Sequence, residues 1–280
     1  MNRIADEQKR LNEESRGRWD LYRSHRERVT GLVVESAASG GSLCVLGAGN
    51  SNDVDLGALA GRFERIHLVD LDADALQAGA SRQGYEDSEQ IVLHGDVDVT
   101  SMADLLARWT PEHPPEGDDL DACLATVAGR PPLDLPGPFD AVASVCLLTQ
   151  LVASVVNTLG EGHPRYLEMV TQVRARHLQL LVELLRPGGT GVLVAEFVSS
   201  ATFADLPKIP ESRLPETAVQ LIEARNFFTG MNPLVIRGLL EADPRLAPML
   251  ESVEMTKPWL WDFGPRVYLV CAFVFRRKPA

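Results

Sequence analysis

The sequence predicts an α/β fold built on a doubly wound, mostly parallel sheet. From residue 43 onward, short aliphatic runs alternate with helical segments, and this alternation is typical of βαβ units. A glycine-containing turn follows the first run, and acidic residues follow the next two. The length of 280 residues fits one large α/β domain with extensions.

Each element is predicted from its pattern of apolar residues and from the breakers around it. The first 40 residues are rich in charge and predict a helix, in which Trp19, Tyr22 and Arg26 recur at three- and four-residue steps. Strands are predicted at 43–46, 66–69, 91–94, 139–145 and 190–197, and two further strand-like runs at 252–256 and 266–276. Helices are predicted at 53–63, 73–82, 102–109, 147–159 and 166–185. Between them, residues 111–138 hold seven prolines and an acidic cluster, which predict a surface excursion that is partly loop, and residues 186–189 predict a turn.

Composition and charge exclude several classes of function. Lys and Arg number 27 and Asp and Glu number 39, so the formal net charge is −12, which disfavours nucleic acid and anionic membrane surfaces as partners. The apolar runs are shorter than the ~20 residues needed to cross a bilayer, and the polar first residues do not resemble a signal peptide. We therefore expect a cytoplasmic protein without a membrane partner. The four cysteines form no CxxC pair and no metal-ligand pattern, so they are interpreted as structural and no metal is predicted.

The turn after the first predicted strand is the main functional feature of the sequence. Gly47 and Gly49 allow the backbone to pass close beneath a ligand. The dinucleotide fingerprint G-x-G-x-x-G would need a third glycine at the position of Asn52, and Asp53 in the next helical turn would repel a phosphate. The loop therefore predicts a ligand without phosphates.

Carboxylates follow the second and third predicted strands. Asp70 lies 21 residues after Gly49, close to the ~20 expected for a carboxylate that binds ribose hydroxyls. Asp96 ends the third strand and can accept a hydrogen bond from an amine such as adenine N6. Together these strand ends predict a nucleoside pocket.

These residues resemble the class I S-adenosylmethionine-dependent methyltransferases. The resemblance covers residues 43–277: the Gly47-Ala48-Gly49 loop, Asp70, the Gly95-Asp96 pair, the fourth strand beginning at Phe139, and the Leu184–Leu193 segment. It implies a seven-stranded sheet whose last strand runs antiparallel between the fifth and sixth. Two positions depart from the family pattern, since Val45 replaces its usual acidic residue and Ser51 its third glycine.

The same resemblance implies how S-adenosylmethionine is bound. Asp70 would bind the ribose, Asp96 would lie near the adenine amine, and Val97 would pack on the ring. The remaining residues that we expect at the cofactor are Gly47, Ala48, Gly49, Asn50, Leu71 and Ser144, with Tyr22 and Arg26 from an N-terminal segment acting as a lid. The predicted organisation is a helical lid over residues 1–40 and a Rossmann-like methyltransferase domain over residues 41–280.

Three residues are candidates for catalysis. His163 lies in a loop that would overhang the cleft, and its alternative interpretation is a surface histidine. Glu196 follows the fifth strand and would orient an amine or hydroxyl, or else form a surface ion pair. His25 belongs to the predicted lid, or is solvated while Trp19 and Tyr22 pack the helix onto the domain.

The predicted function is methyl transfer to the oxygen or nitrogen of a small-molecule acceptor. Two alternatives stay open at this point: an S-adenosylmethionine-binding regulatory or scaffold protein without turnover, and a nicotinamide (NAD)-dependent oxidoreductase. The second is disfavoured by Asn52 and by the missing phosphate site. The oligomeric state is left open, and a homodimer is compatible with the sequence.

Overall fold

The architecture is an eight-stranded sheet with helices on both faces, seen in a computed structural model that describes residues 2–100, 102–129 and 133–280. The strands are β1 (Ser42–Leu46), β2 (Arg65–Val69), β3 (Ile91–His94), β4 (Phe139–Val145), β5 (Leu185–Ser199), β6 (Leu250–Met255), β7 (Trp259–Asp262) and β8 (Val267–Arg277). Their order is β3-β2-β1-β4-β5-β8-β6, and β7 pairs with the first part of β8. The strands from β1 to β5 are parallel, whereas β8 runs antiparallel between β5 and β6. This order confirms the predicted fold class.

Ten α-helices connect or flank these strands within the described residues. They are α1 (Arg3–Ser15), α2 (Arg23–Ser36), α3 (Leu56–Ala60), α4 (Ala73–Arg82), α5 (Ala103–Leu106), α6 (Gly117–Gly129), α7 (Leu147–Leu159), α8 (Tyr166–Leu184), α9 (Leu214–Glu223) and α10 (Pro233–Ala242). None of them combines the length and the apolar composition needed to cross a bilayer.

The strand register sets the position of the functional loops. Leu46, Val69, His94 and Ser144 stand level with one another on β1, β2, β3 and β4. The order of strands along the chain also reverses between β1 and β4, and ligands of doubly wound sheets bind at such a switch point, beyond the carboxyl ends of the strands. The segments that follow β1, β2, β3 and β4 therefore meet at one edge.

The hydrophobic core lies on both faces of the sheet. Successive side chains of a strand point to opposite faces, so Cys44 and Leu46 pack with α7 and α8, whereas Leu43 and Val45 pack with residues of α2 and α3. All four cysteines are buried and free, in keeping with their interpretation as small apolar residues, although Cys146 has a second environment described below.

Two predictions for the N-terminal half need correction, and a third, the partly looped excursion, is compatible with the structure. The first 40 residues form two helices, α1 and α2, rather than one. The helix predicted at 53–63 is only α3, because the Asp55 side chain accepts a hydrogen bond from the Ala58 N–H and starts the helix there. The proline-rich excursion contains the helix α6, whose first turn is the acidic cluster of the sequence.

Two corrections concern the strands. Residues 186–189, predicted as a turn, are the first part of β5, since this strand already begins at Leu185. The sheet has eight strands instead of seven, because Trp259–Asp262 adds the short strand β7 beside β8.

Candidate functional site

Two adjoining cavities form a cleft at the carboxyl edge of the sheet. With the solvent-filled space at their openings included, the first contains about 580 Å³ and the second about 910 Å³ of empty space. Gln8, Gly47, Asp70 and Gln150 line both, so the two cavities adjoin one another at these residues.

The glycine turn forms the floor between the cavities. The φ angles of Gly47 and Gly49 are +71° and +44°, in the left-handed region that favours glycine. The N–H groups of Gly47 and Ala48 both donate to the Val69 carbonyl, 2.9 and 3.2 Å away, which binds the turn to the end of β2. A Cβ at Gly47 would come within 2.8 Å of the Leu147 Cβ, so the turn also lies directly against the start of α7.

Asp70 stands where the two cavities meet. One of its carboxylate oxygens accepts from the Gly49 N–H at 2.8 Å, and the other accepts from the Asp72 N–H at 2.9 Å. Burial nevertheless raises the pKa of Asp70 to about 6, because removing the charge from water outweighs these hydrogen bonds. A carboxylate that is held this rigidly and faces a cavity is suited to accept further hydrogen bonds from hydroxyl groups.

The first cavity is an apolar slot beside Asp70. Leu71, Val97, Leu147 and Leu151 are among its apolar walls. These include Leu71 and Val97, two of the residues predicted at the cofactor.

The acidic residue that lines the first cavity is not the one that the sequence suggested. Asp96 is exposed and lines neither cavity, whereas Asp98 lines the first. The Asp98 carboxylate accepts from the N–H groups of Thr100 and Ala103, at 2.9 and 2.7 Å, and so starts α5. The assignment of Asp96 to an adenine amine is therefore not supported by its position.

Helix α1 covers the cleft. Its residues Ile4 and Gln8 line the first cavity, and Gln8, Leu11, Asn12 and Ser15 line the second. The Asn12 amide donates to the Asp72 carboxylate at 3.0 Å, and the Asn50 amide donates to the Asn12 carbonyl at 2.6 Å. The covering element is thus α1, which the sequence did not separate from α2.

Of the three lid residues that the sequence singled out, Tyr22 alone lines the second cavity. Burial raises the pKa of its hydroxyl above the ordinary range, so the group stays protonated and able to donate a hydrogen bond. Arg26 lies behind the cavity wall instead: its Nη1 donates to the carbonyls of Trp19 and Asn52, at 2.9 and 3.0 Å. Arg26 therefore holds the turn between α1 and α2, and the structure does not bring it to a ligand.

His25 is completely buried and lines neither cavity. Its Nδ1 accepts from the Trp259 indole N–H at 3.2 Å, and its Nε2 lies 3.2 Å from the Asp53 Oδ1. Asp53 does line the second cavity, as does Trp261, on whose ring the His25 ring stacks with the centroids 4.4 Å apart, so His25 contacts the cavity only from behind its lining residues. The structure therefore places His25 behind the cavity wall, where it has no direct access to a ligand in the cavity.

Glu196 is the predicted catalytic candidate that the fold brings into the cleft. It lies on β5, is 7% exposed and lines the second cavity. Burial raises its pKa to about 7, although a hydrogen bond with the Cys146 side chain opposes that change. Its Oε2 has no hydrogen-bond partner. A buried carboxylate with a pKa near neutrality can exchange a proton with a bound molecule.

Two other predicted residues lie outside both cavities. Ser144 is buried within the core, with its Oγ 2.8 Å from the His177 Nε2. His163 lies between α7 and α8, and its Nδ1 accepts from the Arg165 N–H at 3.2 Å. The structure thus places Ser144 away from the predicted cofactor site and His163 away from the predicted catalytic site.

Comparison with known proteins finds similarity at the level of solved structures. Neither the family models nor the curated proteins compared with this sequence produce a match. The 1,6-didemethyltoxoflavin-N1-methyltransferase of Burkholderia thailandensis, solved with its substrate and S-adenosylhomocysteine, is 14% identical, with a TM-score of 0.47 over 98% of this chain and 87% of that chain. The magnesium protoporphyrin IX methyltransferase of Synechocystis, solved with S-adenosylhomocysteine, is 12% identical, with a TM-score of 0.46 over 92% of this chain and 83% of that chain. A methyltransferase of Methanosarcina mazei is 10% identical, with a TM-score of 0.45 over 88% of this chain and 95% of that chain.

Several residues of the cleft were not singled out as site residues by sequence reasoning. The most consequential are Asp53, Cys146 and Tyr268, which line the second cavity together with Glu196. From the sequence, Asp53 was interpreted as a residue of the first helical turn that would repel a phosphate, and Cys146 as a structural apolar residue. The one signal in the sequence for Cys146 was its place between a predicted strand and a predicted helix. In the structure it adopts a φ of +53° there.

The cleft combines rigid hydrogen-bond acceptors with an apolar slot and a buried carboxylate. The described residues contain no cluster of His, Cys, Asp and Glu side chains arranged to hold a metal ion. Burial also raises the pKa of the Cys146 thiol well above its usual value, so this group is a protonated thiol and not a nucleophilic thiolate. The arrangement is suited to binding a nucleoside and to holding a second molecule beside Glu196.

Proposed function

We propose that the protein is an S-adenosylmethionine-dependent methyltransferase that acts on a small-molecule acceptor, at oxygen or nitrogen. The observation that carries this proposal is the position of Asp70, whose carboxylate lies at the junction of an apolar slot and a larger polar cavity. A nucleoside bears vicinal hydroxyls between an aromatic base and a polar substituent. Its three parts therefore match, in order, the carboxylate of Asp70 between the apolar slot and the polar cavity.

The described residues fit this cofactor. Leu71, Val97 and Leu147 offer apolar contacts to an adenine base, and Asp70 would accept hydrogen bonds from the ribose hydroxyls. Gly47, Ala48 and Gly49 line the second cavity beside Asp70, and position 49 has no room for a side chain, because a Cβ there would lie only 2.9 Å from the Asn12 Oδ1.

The second cavity would hold the methionine portion. Asp53 lines it and can pair with an ammonium group, which compensates for the family's usual acidic residue that Val45 replaces. Asn50 and Tyr22 line the same cavity, and Tyr22 has a hydroxyl that can donate.

When bound, the cofactor supplies a methyl group on a positively charged sulfur. The protein's contribution is then to align an acceptor behind that methyl group, to exclude water and to take up a proton where the acceptor carries one. Helix α1 covers the cleft and excludes water, and Glu196 lies in the second cavity as the proton acceptor.

An NAD-dependent oxidoreductase is the second candidate retained from the sequence. Asp53 and Asp70 both line the second cavity on either side of the glycine turn, and their charges would repel a pyrophosphate placed there. This disfavours NAD without affecting an uncharged nucleoside.

Calorimetric titration of the purified protein with S-adenosylmethionine, S-adenosylhomocysteine and NAD tests the proposal. We expect micromolar binding of the first two and none of NAD. Binding of NAD alone would overturn the proposal, as would the absence of binding by all three. Cofactor binding without methyl transfer to any compound in an acceptor library would support the non-catalytic alternative.

A further inference from the structure

Four aromatic rings form one side of the second cavity. Tyr22, Trp261, Phe263 and Tyr268, which we call the aromatic wall, all line it. The Trp261 ring centroid lies 5.1 Å from that of Tyr22, 5.3 Å from that of Phe263 and 5.4 Å from that of Tyr268. Aromatic faces of this kind attract cations and pack against apolar groups.

Carboxylates line the same cavity as the aromatic wall. Glu196 is more than nine-tenths buried and has one oxygen without a hydrogen-bond partner, while Asp53 and Asp70 also line the cavity. A buried carboxylate oxygen without a partner is costly, and a ligand that donates a hydrogen bond removes that cost.

Compensating cations lie outside the cavity. Among the described residues, the second cavity is lined by no lysine, arginine or histidine. The Arg18 guanidinium lies 4.8 Å from the Phe263 ring centroid, and Arg266 interacts with Tyr268, but neither residue lines the cavity. The electrostatic character of the second cavity is therefore that of a site for a positively charged ligand.

We infer that the methyl acceptor is an amine that is cationic in solution, with its ammonium group bound by Glu196 and its apolar part packed against the aromatic wall. This inference rests on the proposed function, because the wall and Glu196 lie in the cavity that would also receive the methionine portion of the cofactor. Asp70 is assigned to the ribose and Asp53 to the cofactor's ammonium, which leaves Glu196 for the acceptor.

The reaction balances with Glu196 as the proton acceptor. One N–H proton of the bound ammonium passes to the Glu196 carboxylate, which leaves a lone pair on the nitrogen. That lone pair forms the new N–C bond with the methyl carbon as the C–S bond breaks, and the electron pair of that bond stays on the sulfur as a neutral thioether. The groups with an electrostatic or hydrogen-bonding influence on Glu196 are Asp53, Cys146, Thr149, Tyr268 and Cys271, none of which is a cation.

A set of probes with one skeleton tests the charge preference directly. The protein, saturated with S-adenosylhomocysteine, is titrated with phenethylammonium, 2-phenylethanol and phenylacetate at pH 8, and binding is measured by calorimetry. We expect phenethylammonium to bind at least 10-fold more tightly than 2-phenylethanol, and phenylacetate to bind least. Equal binding of the alcohol and the ammonium, tighter binding of phenylacetate, or no binding of the ammonium would overturn the inference.

Two variants assign the preference to Glu196. Glu196→Gln should remove the preference for phenethylammonium over 2-phenylethanol and leave the affinity for S-adenosylhomocysteine within about 3-fold of the original. Glu254→Gln, at an exposed position of β6, removes the same charge outside the cleft and should change neither. If Glu196→Gln keeps the preference, the role given to Glu196 is wrong.

The inference and the proposed function fail in different ways. If the unmodified protein does not bind S-adenosylhomocysteine, the proposed function is wrong. If the protein binds S-adenosylhomocysteine but prefers the alcohol or the carboxylate, the proposed function stands. Only the inference that the acceptor is an amine is then wrong.

Discussion

Gly79 of α4 lies directly against the backbone of Asn50 in the glycine turn. A Cβ at position 79 would come within 2.5 Å of the Asn50 carbonyl oxygen, 2.6 Å of its carbonyl carbon and 3.1 Å of the Ser51 nitrogen. All three atoms belong to the backbone, so no side-chain rotation can relieve the overlap. The close helix packing that the dinucleotide fingerprint assigns to a glycine within the loop is supplied here by a glycine of α4, the helix that follows β2.

The substitution Gly79→Ala should therefore displace the turn and weaken the binding of S-adenosylhomocysteine. Overpacking of this kind costs about 1–3 kcal/mol in free energy of unfolding. Urea denaturation and calorimetry measure the two effects. Gly238→Ala is the matched control, because no atom lies within 4 Å of a Cβ at position 238 of α10. Equal stability of the Gly79→Ala variant and the original protein would show that the turn does not depend on this contact.

Asp70 leads to a prediction about pH and cofactor affinity. Since its pKa is raised to about 6, the carboxylate is ionised at pH 8 and mostly protonated at pH 5, where it accepts hydrogen bonds less well. The affinity for S-adenosylhomocysteine should fall about 10-fold between these pH values, as the ionised fraction does. The variant Asp70→Asn should bind about 10- to 100-fold more weakly at pH 8, since a hydrogen bond to a charged group contributes ~1.5–3 kcal/mol.

The same variant identifies the group responsible for the pH effect. Calorimetry at pH 5 and pH 8 should show a much smaller pH dependence for Asp70→Asn than for the original protein. Asp87→Asn removes an exposed carboxylate outside the cleft and should behave like the original protein. An unchanged affinity in Asp70→Asn would contradict the placement of the ribose.

Glu196 should make the stability of the protein depend on pH. Its pKa is about 7 in the folded chain and near 4.5 in an unfolded one, so the folded state binds more protons between these values. The contribution of the protonated Glu196 to the free energy of unfolding is complete below about pH 4.5 and is lost as the pH rises through 7. At pH 8 the buried ionised carboxylate costs roughly 3 kcal/mol in free energy of unfolding.

The variant Glu196→Gln should not lose stability in this way as the pH rises, because glutamine does not ionise. Its melting temperature relative to the original protein should rise between pH 5 and pH 8 in the absence of ligand. Glu254→Gln should show no such trend, because that side chain is exposed. A difference between Glu196→Gln and the original protein that does not change with pH would argue against a raised pKa at this site.

Arg26 should be irreplaceable by lysine for geometric reasons. Its guanidinium lies 3.4 Å from the Trp19 ring centroid while Nη1 donates to two carbonyl groups, and an ammonium group cannot stack in the same way. We expect Arg26→Lys to lower the free energy of unfolding by about 1–3 kcal/mol, measured in urea. Arg23→Lys is the control, since Arg23 forms only an exposed ion pair with Asp20. Similar losses in the two variants would contradict the role of Arg26.

Most strands were predictable because local patterns carry the information. Buried parallel strands appear as short aliphatic runs, and the predicted limits 91–94 and 139–145 agree with β3 and β4. The short strand β7 was missed as a strand because it has four residues and is defined by its pairing with β8 rather than by its own pattern. The division between α1 and α2 was missed because Arg26 holds the intervening turn through contacts distant in sequence.

The sequence by itself determined the α/β architecture, because strands and helices alternate along the chain. It also determined the glycine turn and the position of Asp70, because these depend on residues within one βαβ unit. Only the tertiary structure decided which polar side chains share the cleft. It replaced Asp96 by Asp98, moved Arg26 and His25 behind the cavity wall, and left Ser144 and His163 outside. It also joined Glu196 of β5 with the Tyr22 ring just before α2, the Trp261 ring of β7, the Phe263 ring after β7 and the Tyr268 ring of β8. The physical reason is that such groupings depend on how separate elements pack and on which face each side chain takes, and neither property is encoded by spacing along one segment.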